Sequence, residues 1–201
     1  MWFEKIDQQL RGELQRINRA GMQHAAEMLS RLLRQPIRIE LPGALTAEQL
    51  AVELQPAEPG FGVFLKIHGE LSGDMLLFFS QQSAGWLSGQ LLGEDQPADL
   101  LAEPARSTLQ EVGNIIASAF LASLDDQLQL RALPTPPKII LAPLATLFSQ
   151  RQKEPAQSAP VVCSRLSCAA EGAAPLQISI YLFPAIDSLD LLLAQLAAEN
   201  S

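Results

Sequence analysis

The chain has 201 residues, 48% of them apolar and 18% charged, with a formal net charge of −8. That length and apolar share suit a globular fold with a sizeable core and exclude a disordered chain. The excess of 22 Asp and Glu over 14 Lys and Arg, with no long basic run, argues against a nucleic-acid binder, and no apolar run approaches the ~20 residues of a membrane helix.

The first residues, Met1-Trp2-Phe3-Glu4-Lys5-Ile6-Asp7, are charged too early for a secretory signal. With no membrane span either, the expected location is the cytoplasm. A long amphipathic helix is expected next, with Leu10, Leu14, Ile17, Met28, Leu32 and Leu33 near one face; it must end before Pro36. The alternation in Ile37–Leu41 predicts a strand, and Phe61–Ile67 and Leu71–Phe79 predict a hairpin around His68-Gly69-Glu70. A short helix follows over Gln81–Leu92, and Gly93–Asp99 reads as a connector.

A second long helix is expected around Arg106–Leu124, its core stripe Leu109, Val112, Ile116, Phe120 and Leu124, ending before Pro134. Strands follow at Lys138–Leu141, Val161–Leu166 and Leu176–Phe183. A Leu- and Ala-rich helix closes the chain over Ala185–Ala198. Gln150–Ser158, polar and containing Pro155, reads as a loop.

This order contains a repeat. Leu14–Arg19 aligns with Leu109–Asn114, Leu29 with Leu124, Leu33 with Leu128, and Pro42 with Pro137, all at a constant step of 95. Phe79-Ser80 aligns with Phe183-Pro184 at a larger step of about 104. The expected architecture is an α/β (α+β) domain over 1–201 made of two pseudo-symmetric halves, about 1–95 and about 96–201. Long helices pack on a mostly antiparallel sheet.

The remaining chemistry-bearing residues are few. Cys163 and Cys168 sit in predicted strands with no partners for a zinc site, and read as buried or half-buried free thiols. Trp86 reads as core, His24 as a packed or surface residue, and His68 as solvated at its turn; Trp2 is too near the terminus to assign. The informative segment is the second long helix. Outside its apolar stripe, Ser107, Glu111, Asn114 and Ser118 follow at steps of four, three and four, so all four share one face. Gly113 costs ~1 kcal/mol relative to Ala in a helix interior, and close approach by another molecule is one reason to keep it. A polar stripe is also what any solvated helix face shows. No metal cluster, nucleophile motif or phosphate loop accompanies it.

These residues resemble the CheC-like family of chemotaxis phosphatases, of CheC/CheX type. The family signature is Asp or Ser, three residues, Glu, two residues, Asn, twenty-two residues, Pro; here Ser107, Glu111, Asn114 and Pro137 stand at those spacings. Glu111–Ala117 and Gly69–Phe79 resemble the family's helix and strand, and the two-half organisation is also the family's. The first half departs from the signature: Gly12, Arg16 and Arg19 replace the three polar residues while Pro42 remains. The chain is thus similar to a single-site member, with the first helix a structural relic or a partner surface.

The resemblance implies a phosphatase for the phospho-aspartate of a CheY-like response-regulator receiver domain. Asn114 is the implied water-positioning catalytic group. Glu111 is implied both in catalysis and in docking, with Ser107, Ser118 and Gly113 at the docking surface and Pro137 shaping the turn after the helix. No cofactor is expected on this chain, because the receiver brings its own Mg²⁺. The deamidase CheD and a second copy of the chain are further partners known among relatives. The rival reading is a non-catalytic docking module of the flagellar-switch type sharing the same fold.

Overall fold

The structure, a computed structural model, describes residues 8–45, 47–55, 57–94, 97–151, 161–168, 176–185, 187, 188, 190, 191 and 194. In chain order the elements are α1 (Gln8–Leu33), β1 (Arg38–Ala44), α2 (Ala47–Glu53), β2 (Pro59–Gly69), β3 (Gly73–Ser80), α3 (Gln81–Leu92) and α4 (Glu103–Leu128). They continue with β4 (Ala132–Pro134), β5 (Lys138–Pro143), α5 (Leu144–Arg151), β6 (Val162–Cys168) and β7 (Leu176–Pro184). Every strand pairing is antiparallel. Trp2 and residues 152–158 of the expected loop lie outside the described residues, and its first two residues, Gln150 and Arg151, end α5 instead; of the expected C-terminal helix, Asp187, Ser188, Asp190, Leu191 and Ala194 are helical.

The helix ends follow local chemistry. The Ser80 hydroxyl accepts from the Ser83 N–H at 3.1 Å to start α3, and Gly93 ends it in the left-handed conformation. α4 carries Pro104 in its first turn, where the missing N–H costs nothing. Both long helices stop at a non-glycine left-handed residue, Arg34 after α1 and Gln129 after α4, which stand 95 apart like the other repeat positions. Beyond α1, the Ser30 hydroxyl donates to the Gln35 carbonyl at 2.6 Å before Pro36 bars further helix.

The sheet runs β1-β6-β7-β3-β2-β4, with β5 also on β2. β4 and β5 share one edge of β2, beside Ile67–Gly69 and Pro59–Phe64 respectively. The break between them falls at Pro136-Pro137, which cannot donate to the ladder. Strands from the two stretches of chain interleave: β1 pairs with β6, β3 with β7, and β2 with β4 and β5. The two stretches therefore form one continuous sheet.

Both faces of that sheet are covered. On one, α1 and α4 bury Ile17, Met22, Leu29, Leu109, Val112, Ile116 and Phe120 against Val63, Leu65, Met75, Leu77, Ile178 and Ile180. All five expected core residues of α4 are buried. Of the expected α1 stripe, Ile17 is buried and Met28 and Leu33 pack half-buried against the core, while Leu32 is 39% exposed and the side chains of Leu10 and Leu14 lie outside the described residues; Met22, Ala25, Ala26 and Leu29 are buried as well. Trp86 packs against this same core, and His68 is exposed.

The opposite face holds a second cluster, Leu45, Leu76, Leu147, Phe148, Cys163, Tyr181 and Phe183. It packs with two short helices absent from the sequence-based expectation, α2 and α5. The Phe148 ring meets those of Tyr181 and Phe183 edge-on, each at 5.1 Å between centroids. Glu53, the last residue of α2, pins that helix to the sheet: it pairs with Arg165 and accepts from the Tyr181 hydroxyl at 2.8 Å. Burial foremost raises the Tyr181 pKa above its ordinary value, so the phenol stays a donor to Glu53.

Cys163 and Cys168 are free and buried. Burial pushes the Cys163 thiol up to about 12 and raises Cys168 as well. Because the thiolate is the reactive form, native protein at pH 8 is expected to leave both thiols unmodified by a disulfide reagent over minutes, with two equivalents reacting after denaturation. Rapid titration of the native protein would show that this face of the sheet opens.

Candidate active site

α4 places its polar stripe on the surface because its other side is committed to the core. Ser107, Glu111 and Ser118 are exposed and Asn114 is half-buried, with Val112 and Ile116 buried beneath. Ser107 donates to Glu103 within its own helix at 3.3 Å. Neither the Glu111 carboxylate nor the Asn114 carboxamide has a side-chain hydrogen bond or ion pair among the described residues. Both groups are therefore available to a visiting surface, one as an acceptor and the other as donor and acceptor together.

The stripe is held in register from beside it. Gln110, half-buried, donates its amide to the Pro137 carbonyl at 2.9 Å. That contact ties the residue before Glu111 to the turn that opens β5. The anchor is the backbone carbonyl of Pro137, the signature proline. Sequence reading missed Gln110; its only signal was its place next to Glu111.

Gly113 requires a correction. Expected at the docking surface, it is buried and does not share the exposed face of Ser107, Glu111 and Ser118. A Cβ there would lie 2.6 Å from Val63 Cγ1, so the missing side chain serves the approach of α4 to β2. The close neighbour that justifies the glycine belongs to the same chain.

One row of cross-strand partners explains this contact. Val63 pairs with Leu77, Leu77 with Ile180, and Ile180 with Ser164. Gly113 sits over Val63 at one end. At the other, the Asn18 amide donates to the Ser164 hydroxyl at 3.1 Å and the hydroxyl can return to Asn18 Oδ1 at 3.3 Å. Asn18 and Gly113 are 95 apart, so the same helix position meets the same sheet row by a bare backbone in one case and by a side-chain hydrogen bond in the other. The row also corrects the strand step. Met75, Leu77 and Phe79 face the same core layer as Ile178 and Ile180; an even step such as 104 would exchange faces, whereas 103 joins Leu77 to Ile180.

At the positions in α1 that match the signature, Arg16 and Arg19 are exposed. Arg16 donates to Gln127 Oε1 at 3.4 Å across to α4. Among the described residues no group of three His, Cys, Asp or Glu side chains is arranged to hold a metal ion, and no helix is long and apolar enough to cross a membrane.

Comparison with known proteins finds likenesses in the α4–β5 segment and in the fold. Residues 105–141 match the model of the CheC-like family, and that segment contains Ser107, Glu111, Asn114 and Pro137. The chain is 28% identical over 161 residues to the CheY-P phosphatase CheC of Bacillus subtilis, with 77% of each covered. Its fold matches the crystal structure of Thermotoga maritima FliY at TM-score 0.71 and 15% identity, covering 96% of this chain and 98% of that one. It also matches the CheX–CheY–BeF₃–Mg²⁺ complex of Borrelia burgdorferi at TM-score 0.56 and 19% identity, covering 83% and 96%. The chain is thus CheC-like in its signature segment, and its mixed helical and antiparallel fold is shared with FliY and CheX.

The Gly113 contact predicts a measurable coupling. Gly113→Ala gains ~1 kcal/mol in helix propensity but forces overpacking worth ~1–3 kcal/mol, so a net loss of about 1 kcal/mol is expected in urea unfolding. Combined with Val63→Ala, the loss should be smaller than the sum of the two single losses by about 1 kcal/mol. Strict additivity would mean that α4 is not held at this distance by Val63.

Proposed function

We propose that this protein is an aspartyl-phosphate phosphatase acting on a phosphorylated CheY-like receiver domain, with Asn114 as its catalytic residue. The observation that carries the reading is the Asn114 carboxamide, without a partner among the described residues and half-buried on α4 one turn from an exposed Glu111, at the family's signature spacing. The relative CheC is a CheY-P phosphatase and the fold relative CheX forms a complex with CheY; both support the choice of partner.

Phosphoryl transfer can be accelerated largely by positioning and electrostatics. In this mechanism Asn114 enters the receiver's phosphorylation pocket and holds a water in line with the phosphorus, donating through its NH₂ or accepting through its carbonyl oxygen. A carboxylate in its place would be repelled by the phosphoryl group, and an aliphatic side chain could not hold the water. Glu111 pairs with a cationic side chain of the receiver and fixes the helix against the pocket; Ser107 and Ser118 lie along the rim. The reading assigns Mg²⁺ to the receiver, where the ion would neutralise charge on the phosphoryl group. Water attacks phosphorus, the P–O bond to the aspartyl carboxylate breaks, and inorganic phosphate and free aspartate result.

A second reading is a domain that docks partners without turnover; it is favoured by the fold shared with H. pylori FliM, whose structure is a complex with FliG. The two separate on one assay, the decay of a phosphorylated receiver with Mg²⁺ present. Wild type should accelerate decay. Asn114→Ala should lose ~10²-fold or more of that acceleration while still binding the activated receiver, and Glu111→Lys should lose binding. Undiminished turnover in Asn114→Ala would sink the mechanism, and no acceleration by wild type would favour the docking module.

A further inference from the structure

α1 is basic in an acidic protein. Six of the chain's 14 Lys and Arg residues, namely Arg11, Arg16, Arg19, Arg31, Arg34 and Arg38, fall in one short stretch, and all six are arginine. Arg16, Arg19, Arg31 and Arg34 are exposed. At the repeat step of 95, Arg16 stands where α4 has Glu111 and Arg31 where it has Asp126, so the charge is reversed at two matching outward positions.

The helix pairing fixes which of these arginines lie near the candidate site. Arg16 bonds to Gln127, and further along α1 the missing side chain of Gly21 admits the Phe120 ring. As one number rises the other falls, so the helices run antiparallel. Ten residues on from Gly21, Arg31 comes level with Gln110 and Glu111, and Arg34 lies about one turn beyond. Packed helices lie ~8–10 Å apart. A standard interface covers ~800 Å² on each partner, a disc of roughly 16 Å radius. Centred on Glu111 and Asn114, that disc reaches Arg31 and Arg34. Arg16 and Arg19 lie roughly 18–22 Å further along α1 at 1.5 Å per residue, near or beyond its rim.

We propose that Arg31 and Arg34 form an electrostatic second contact of the docking surface and take the anionic rim of the receiver's phosphorylation pocket. This rests on the receiver reading above and deepens it. The need is physical: a chain of net charge −8 whose site helix carries Glu103 and Glu111 repels a phosphoaspartyl partner at long range. A local pair of arginines offsets that repulsion and suits carboxylate and phosphate oxygens. Neither arginine has an ion-pair partner among the described residues; Glu27, one turn before Arg31, does not engage it.

The test is a binding titration of the full chain with a beryllofluoride-activated CheY-type receiver at low and at moderate salt. It is run alongside saturating single-turnover decay of the phosphorylated receiver. Arg31→Glu with Arg34→Glu should raise Kd about tenfold at low salt, less at moderate salt, and leave the saturated rate unchanged. Arg16→Glu with Arg19→Glu changes the net charge equally and should shift Kd less than about twofold. Should the first pair fail to fold, as judged by circular dichroism, Arg31→Gln with Arg34→Gln replaces it, with an expected rise of about threefold. Equal effects from the two pairs, or none from the near pair, would overturn the inference. A wild type that binds with the expected arginine dependence but does not speed decay removes the phosphatase reading and leaves this surface standing; a wild type that does not bind overturns both.

Discussion

The structure depends on how closely α4 lies against β2. At Gly113 the helix backbone meets Val63 with no room for a methyl group between them. That contact fixes both the height and the rotation of α4, and rotation decides which side chains reach solvent. With Gly113 turned to the sheet, Asn114 is carried to the flank and Glu111 to the crest. Gln110 then bonds to Pro137 and prevents the helix from rolling. A helix resting on larger side chains could roll or shift by an ångström at little cost, and the role proposed for Asn114, which needs a fixed position against a partner, does not tolerate that freedom.

The same sheet row has been handled in two ways. Above Val63 the helix supplies nothing, and the valine fills the space. Above Ser164 it supplies Asn18, and a pair of polar groups satisfy each other in a region of apolar burial. A buried hydroxyl without a partner would cost ~1–3 kcal/mol, so the Asn–Ser pair must persist together or be replaced together. This helps explain how α1 can lose the signature residues on its outer face yet keep its seat on the sheet: outer and inner faces answer to different constraints, and only the inner one bears on folding.

Much of the fold was legible because it rests on periodicity. The two long helices, the hairpin of β2 and β3, α3 and the three major strands of the later stretch follow from apolar spacing and from Pro36, Gly93 and Pro134. The second layer of helices was not seen. Ala47–Glu53 and Leu144–Arg151 are too short for a helical period to stand out. Their signal lay elsewhere, in Met75-Leu76-Leu77-Phe78-Phe79: a continuous apolar run in a strand means burial on both faces, and something must cover the second. For the site, spacing located Ser107, Glu111, Asn114 and Ser118 on one face. Gly113 was misplaced because a sequence shows that a side chain is missing without showing which neighbour needs the space.

Charge was the least legible property, because its meaning depends on which helices lie side by side. Along the sequence, Arg31 and Arg34 look like ordinary basic residues at a helix C-terminus, where they favour the negative end of the dipole. That role is real and local. Only the antiparallel pairing of α1 with α4 brings this end of α1 level with Glu111, while sending Arg16 and Arg19 to the other end. A repeat that kept the signature residues in both halves would present two like surfaces. Here one face keeps a carboxylate and a carboxamide, and the helix beside it has become basic. The divergence of the two halves therefore yields an asymmetric surface from a near-symmetric frame, and asymmetry of charge is what allows one orientation of an anionic partner to be favoured over its reverse.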